Sequence, residues 1–171
     1  MERKVLNEIV KNVEKIGEKE FILLKNMIKK GKKIFVIGAG RSGFIGRCFA
    51  MRLRHLGIES YFVGETITPP IRRGDLAIFI SCSGERKTLN HLAEICKKEK
   101  AKILCLTSQK ESPLSKISDE KIIIEKGKSV QFGNSLFEQT VFVFLEEFIE
   151  YYRKSENISR SFMKKQHANL E

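Results

Sequence analysis

A glycine-rich turn at residues 38–43 is the first part of the sequence that could bind a charged ligand. It reads GAGRSG, follows a short apolar run and precedes a helical pattern, so it matches G-x-G-x-x-G in the expected context. Glycines let the backbone approach an anion, which free N–H groups at a helix start attract. A dinucleotide would also need an acidic residue closing the second strand. Glu65 is separated from that strand by Gly64, which makes a dinucleotide a weaker hypothesis than a single phosphate.

A second loop, residues 81–84, reads SCSG and lies between another apolar run and another helical pattern. Ser81 and Ser83 offer two hydroxyl groups, and together with Gly84 and the helix start they predict a second anion site. The alternative is that both hydroxyls only cap the helix. If the sheet has strand order 2-1-3-4-5, strands 1 and 3 are neighbours and both loops open on one crevice. Such a crevice suits a phosphate with a polyol chain.

The elements that must position these loops alternate between strand and helix. Five short apolar runs predict parallel strands buried on both faces, at 33–37, 60–63, 76–80, 103–106 and 122–124. Helical periodicity predicts helices at 44–56, 88–98, 136–153 and 158–166. We therefore expect an α/β fold, a three-layer α/β/α sandwich with a five-stranded parallel sheet of flavodoxin-like order 2-1-3-4-5. It forms one domain over 1–171, with an N-terminal helical extension at 1–31 and a C-terminal helix and tail at 157–171.

Composition excludes several classes of protein. With 42% apolar and 31% charged residues and only 3 prolines, the 171-residue chain is neither disordered nor fibrous. Its net charge of +11 raises the question of nucleic acid. The basic clusters, however, precede strands and so fall at the amino edge of the sheet, opposite the edge where α/β proteins bind ligands. They also lack interleaved aromatic residues, so we predict no nucleic-acid partner.

Membrane and metal partners are not expected either. No apolar run approaches the roughly 18 residues of a membrane span, and residues 1–4 lead into a helical pattern rather than a secretory or transit signal. The four cysteines include no CxxC pair and have no zinc-like histidine spacing. We expect free thiols in a cytoplasmic protein without a metal.

Several segments together resemble the sugar isomerase (SIS) domain family. The likeness covers nearly the whole chain, and within the family it is greatest for the 6-phospho-3-hexuloisomerases. The matching segments are 40–53, 64–66 with 68–69, 81–84, 136–139 and 167–171. The resemblance implies interconversion of D-arabino-hex-3-ulose 6-phosphate and D-fructose 6-phosphate through an enediolate, with no cofactor. The alternatives are a non-catalytic phosphosugar-binding module or an isomerase of another sugar phosphate.

The resemblance also implies roles for individual residues. Glu138 is expected to be the catalytic base and His167 to assist proton transfer between the substrate oxygens. The residues expected to bind substrate are Gly40, Arg41, Ser42, Arg47, Ser81, Ser83, Arg86 and Thr88. Local sequence offers another role for Glu138, because Ser135 and Glu138 have the spacing of a capping box.

Two positions depart from the family pattern. The serine loop usually continues to a threonine where this chain has Arg86, with Thr88 two residues further on. An arginine could still bind phosphate, in a bidentate manner. Residues 132–135 read FGNS where the family typically has PMGT, so the approach to Glu138 is altered. Both departures bear on the choice of sugar phosphate and on whether turnover is retained.

The sequence also predicts a homo-oligomer. The helical segment 141–152 is apolar on more than one face, whereas a helix that covers a sheet needs only one apolar stripe. We expect the surplus to be buried between chains, and the resemblance suggests a tetramer. A single sandwich leaves its carboxyl edge open to water, so we expect His167 to enter a neighbouring subunit's crevice near Glu138.

Overall fold

A five-stranded parallel sheet forms the centre of the protein. The computed structural model describes residues 3–170, so Met1, Glu2 and the tail residue Glu171 lie outside the described residues. The strands follow the order β2-β1-β3-β4-β5, which confirms the predicted topology. Their bounds are β1 Ile34–Gly38, β2 Ser60–Phe62, β3 Leu76–Ile80, β4 Lys102–Thr107 and β5 Glu120–Ile123.

Helices cover both faces of the sheet and extend the chain at both ends. Their bounds are α1 Lys4–Val13, α2 Glu18–Lys30, α3 Arg41–His55, α4 Lys87–Lys98, α5 Pro113–Ile117, α6 Ser135–Ser155 and α7 Arg160–Gln166. Helix α5 was not predicted from the sequence, because five residues are too few to show a helical period. Its local signals are Pro113 at the first position and Ser112, whose hydroxyl accepts a hydrogen bond from the Ser115 N–H.

The strands divide the core into two clusters with a period of two residues. In β3, Leu76, Ile78 and Ile80 pack on the side of α2, α3 and α6. Ala77 and Phe79 pack on the opposite side, against α4 and α5. All five are fully buried, as expected for a central parallel strand with helices on both faces. This burial fixes where β3 ends and therefore where the serine loop begins.

The second apolar face of α6 is covered mostly by its own chain. The Phe21 ring, on α2, lies 5.0 Å from that of Phe144 and 5.4 Å from that of Tyr151, centroid to centroid. The expectation that the surplus apolar surface of this helix is buried between chains is therefore wrong for most of it. Phe142 remains 41% exposed. Within residues 3–170, none of the helices combines the length and the apolar character of a membrane span.

Candidate active site

The loops that follow β1 and β3 line one cleft at the carboxyl edge of the sheet. Gly38, the last residue of β1, pairs in register with Ile80, the last residue of β3. The cleft between the two loops has a volume of about 380 Å³. Seven of the ten predicted site residues line it: Gly40, Arg41, Ser42, Ser81, Ser83, Arg86 and Glu138. The two loops thus open on one crevice, as the strand order implied.

The glycine loop packs its backbone against the start of α3. A Cβ on Gly43 would lie 2.9 Å from the carbonyl oxygen of Gly38, so this close approach requires glycine. Gly40 has a φ of +59° and its missing side chain would face open space. No side chain caps the start of α3, and its first turn contains no acidic residue. The N–H groups of this turn are therefore well placed to bind an anion.

The serine loop is shaped by its own hydroxyl groups. Ser81 Oγ accepts a hydrogen bond from the Gly84 N–H at 3.2 Å, and Ser83 Oγ accepts one from the Glu85 N–H at 3.3 Å. The N-cap residue of α4 is Arg86, with no side-chain cap. The alternative that the two serines only cap this helix is therefore wrong. Each hydroxyl still has its own proton to donate to a ligand.

Glu138 lies in the first turn of α6, and its carboxylate points into the cleft. The N-cap residue of α6 is Asn134 and no side chain caps it, while Ser135 is the first helical residue. The Ser135 hydroxyl donates to the carbonyl oxygen of Phe132 at 2.8 Å. The capping-box alternative is therefore wrong, because Glu138 does not reach back to the helix start.

The Glu138 carboxylate is largely shielded from water and depends on one cation. Its side chain is 13% exposed, and Arg41 Nε lies 2.7 Å from its Oε2. That Arg41 N–H does not point at the oxygen, since buried Oε2 accepts no hydrogen bond. Burial raises the pKa of Glu138 above its ordinary value, and the charge of Arg41 opposes this rise without cancelling it. A carboxylate with a raised pKa is a stronger base.

Behind the Arg41–Glu138 pair lies an apolar groove of about 430 Å³ between α1, α3 and α6. Its apolar lining residues are Ile9, Phe44, Ile45, Phe142 and Val143. Glu138 therefore has mostly apolar neighbours on that side, which disfavours its charged form.

Arg47 and Thr88 do not line the cleft. The Arg47 guanidinium lies 4.1 Å from the centroid of the Phe62 ring, and its Nε lies 3.8 Å from Glu65 Oε1. Arg47 is six positions after Arg41 in α3, which turns it to another side of the helix. Thr88 is exposed near the start of α4. Within one chain neither residue joins the other predicted site residues in the lining of the cleft.

His167 also lies away from the cleft of its own chain. It follows α7, and its ring stacks on that of His55, with centroids 5.0 Å apart. His55 is the last residue of α3 and Arg41 the first. At a rise of 1.5 Å per residue these two ends are about 21 Å apart.

Two further residues contribute to the site. Ser135 Oγ accepts a hydrogen bond from Arg41 Nη1 at 2.6 Å and so holds this arginine over Glu138. The two positions are 94 residues apart, so no local pattern could have indicated the contact. Cys82 lines the cleft between the two serines, and burial raises the pKa of its thiol, which disfavours the thiolate. Among the described residues, no group of three or more His, Cys, Asp or Glu side chains could hold a metal ion.

A doubly wound sheet of this order binds its ligands at the switch point, where the two facing loops of this chain lie. The chain belongs to the SIS domain family, whose model matches residues 27–145, and the resemblance drawn from the sequence is confirmed. Among its relatives is the 3-hexulose-6-phosphate isomerase of Methanocaldococcus jannaschii, which is 42% identical over 86% of this chain and 82% of that protein. The 3-hexulose-6-phosphate isomerase of Bacillus subtilis is 36% identical over 98% of this chain and 95% of that protein.

A solved structure that is similar to this chain is linked to the same activity as these relatives. It is that of a hypothetical protein from Methanococcus jannaschii, for which 3-hexulose-6-phosphate isomerase activity was inferred. The TM-score is 0.89 and the identity 38%, over 98% of this chain and 97% of that one.

Proposed function

We propose that this protein is a sugar-phosphate isomerase that interconverts D-arabino-hex-3-ulose 6-phosphate and D-fructose 6-phosphate without a cofactor. The observation that carries the proposal is the position of Glu138, a shielded carboxylate with a raised pKa, in the cleft formed by the two anion-binding loops. The names of the curated relatives and of the structural neighbour support the choice of substrate.

The chemistry needs a base, a proton relay and a hold on the phosphate. Glu138 removes the proton from C2 of the 3-hexulose phosphate, which gives an enediolate across C2 and C3. The same carboxyl group then returns a proton to C3, while a proton moves from the oxygen on C2 to the oxygen on C3. The result is the ketone at C2 of fructose 6-phosphate, with atoms and charge conserved.

Phosphate binding falls to the two loops in this proposal. Ser42, Ser81 and Ser83 donate hydroxyl hydrogen bonds, Gly40 permits close approach of the backbone, and Arg86 adds a positive charge at the start of α4. Arg41 would supply positive charge near the bound substrate. Arg47 and Thr88 would act only after a side-chain or subunit rearrangement, because neither lines the cleft within one chain.

We further propose that residues 1–171 work as one domain in a cytoplasmic homotetramer. Free cysteines at all four positions are typical of a reducing compartment. Phe44 is 67% exposed and Phe142 41% exposed beside the apolar groove, which favours a second copy covering this surface. In such an assembly His167 of one subunit enters the cleft of another and moves the proton between the substrate oxygens.

A coupled assay for fructose 6-phosphate formed from the 3-hexulose phosphate tests the proposed reaction. We expect turnover by the unchanged protein and a loss of about 100-fold or more in kcat for Glu138→Gln. Glu147→Gln is the matched control, because Glu147 is an exposed residue of the same helix, and it should leave kcat unchanged. A protein that is stabilised by fructose 6-phosphate but shows no turnover would instead be a phosphosugar-binding module.

A further inference from the structure

Arg41 and Glu138 separate two cavities of opposite character. Among the described residues, they are the only two that line both the polar cleft and the apolar groove. The ion pair between them therefore forms the wall between the polar cleft and the apolar groove. A change in this one contact alters the surroundings of the candidate base directly.

The Arg41 side chain is held weakly enough to be displaced from Glu138. The Arg41 side chain is 54% exposed, and its hydrogen bond to the half-buried Ser135 is itself exposed to solvent. A partly solvated guanidinium gains little from one carboxylate. A phosphate dianion in the adjacent cleft offers it more charge and bidentate hydrogen bonds.

The glutamate side depends on this arginine far more. Oε2 of Glu138 is buried and accepts no hydrogen bond, and the nearest cationic atom, Arg41 Nε, is at 2.7 Å. The other charged or titratable groups that line the cleft are Arg86 and the Cys82 thiol. Apart from the pair itself, the groove is lined by apolar side chains and by the uncharged Ser135 and Gln139. If Arg41 moves away, no other described lining residue of α3 or α6 supplies a positive charge. The remaining cation that lines the cleft is Arg86, at the start of α4.

We propose that Arg41 is a positioning residue that neutralises the Glu138 carboxylate while the cleft is empty. When substrate binds, the Arg41 guanidinium moves from Glu138 to the substrate's phosphate, and the carboxylate becomes a strong base only then. The inference rests on the proposed function of Glu138 as the base. Its physical advantage is that the empty enzyme avoids an unpaired buried carboxylate, which would be costly. The substrate phosphate takes over the positive charge at the moment when the base is needed.

Titration of the Glu138 carboxyl group distinguishes an Arg41 that leaves Glu138 when substrate binds from an Arg41 that stays paired with it. The side-chain carboxyl carbons of glutamate are labelled with ¹³C, and the Glu138 signal is assigned by its loss in Glu138→Gln. Titrations are run on the free protein and on protein saturated with D-fructose 6-phosphate. We expect saturation to raise the pKa of Glu138 by about one pH unit or more, as for the loss of an adjacent opposite charge.

Arg41→Met distinguishes departure of the arginine from simple repulsion by the bound phosphate. In this variant the pKa of Glu138 should already be raised in the free protein, and saturation should raise it less than in the unchanged protein. Ser135→Ala keeps Arg41 but removes the hydroxyl that holds it, so its free protein should give an intermediate pKa. The three proteins share Arg86 and Cys82, whose effects cancel in the comparison.

Two results would overturn the proposal: no rise in the pKa of Glu138 on saturation, or an equal rise in the unchanged protein and in Arg41→Met. The readout does not need turnover, so the two hypotheses can fail separately. The expected shifts without isomerase activity would refute the proposed function alone. Isomerase activity with a pKa that does not move would refute the role of Arg41 alone.

Discussion

The rings of His55 and His167 stack with their centroids 5.0 Å apart and their planes 24° from parallel. This contact ties the C-terminal segment to the end of α3 opposite the cleft. A histidine held there cannot act on a substrate beside Glu138 of the same chain. The two groups to which family resemblance gives catalytic roles therefore lie beside opposite ends of α3, Glu138 next to Arg41 and His167 next to His55. This separation motivates the first prediction.

We predict that Glu138→Gln and His167→Ala complement each other. Each variant alone should lose kcat far more than affinity for phosphate, because each lacks one proton-transfer group but keeps both loops. Mixed subunits should recover activity, since some interfaces then combine an intact Glu138 with an intact His167. The measurement is the coupled assay after subunit exchange, followed with a mass-tagged chain. Verified exchange without recovered activity would show that the site is not shared.

We predict that acid destabilises the protein through His55. Burial first, then the charges of Arg52 and His167, lower the pKa of His55 below its ordinary value, while Glu146 opposes the shift. Because the folded-state pKa is lower than that of the unfolded chain, protonation favours unfolding. The stability is present above the unfolded pKa of about 6.5 and is lost as the pH falls below it.

Urea unfolding at pH 7.5 and 5.5 measures this effect. His55→Asn should reduce the loss of unfolding free energy between the two pH values. His91→Asn is the control, because the side chain of His91 is 72% exposed on α4, and it should leave the loss unchanged. Equal losses in the unchanged protein and in His55→Asn would contradict the prediction.

Gly84→Ala should destabilise the serine loop severely. A Cβ at this position would lie 2.1 Å from Ser112 Oγ, and φ is +64°. We expect a loss of about 3 kcal/mol or more of unfolding free energy, because strain and overpacking add. Gly64→Ala is the matched control: its φ is +104° but no atom lies within 4 Å. Urea denaturation should give it a clearly smaller loss, and equal losses would show that the contact with Ser112 is unimportant.

Arg86→Thr, which restores the residue typical of the family, should weaken substrate binding. Arg86 lines the cleft at the start of α4, so its removal should raise KM by about 10-fold, the value of one hydrogen bond to a charged group. Adding salt should then weaken binding less than in the unchanged protein. Lys87→Thr removes an exposed charge of the same helix and serves as the control. Indistinguishable KM values for the two variants would exclude a contact between Arg86 and the phosphate.

Phe44→Glu should dissociate the assembly. Phe44 is 67% exposed on the rim of the apolar groove, and a carboxylate there would be buried without a partner if a second copy covers the groove. Ile95→Glu places the same charge on α4, on the other side of the sheet, where Ile95 is 39% exposed. Light scattering should report an assembly for the unchanged protein and Ile95→Glu, and a smaller species for Phe44→Glu. A monomer of 19.7 kDa in all three would refute the oligomer.

The parts of this fold that follow from the local pattern of apolar and turn residues could be predicted from the sequence. The predicted β3 has the bounds that the structure gives, because Leu76 to Ile80 is a continuous apolar run between turn residues. The meeting of the two loops followed from strand order alone. Contacts between distant positions could not be read in this way. The hydrogen bond from Arg41 to Ser135 and the cover that Phe21 gives to α6 depend on how helices pack.

The site residues are carried by different elements of the fold, and this affects how such a domain can change in evolution. The two loops proposed to bind the phosphate continue directly from the buried strands β1 and β3, so their positions are tied to the core. Glu138 is carried by α6 and supports no helix cap, so under the proposed function its replacement by glutamine would remove the base while the loops that hold the ligand persist. One substitution would thus turn an enzyme into a receptor for the same sugar phosphate, and the reverse change requires an equally short step.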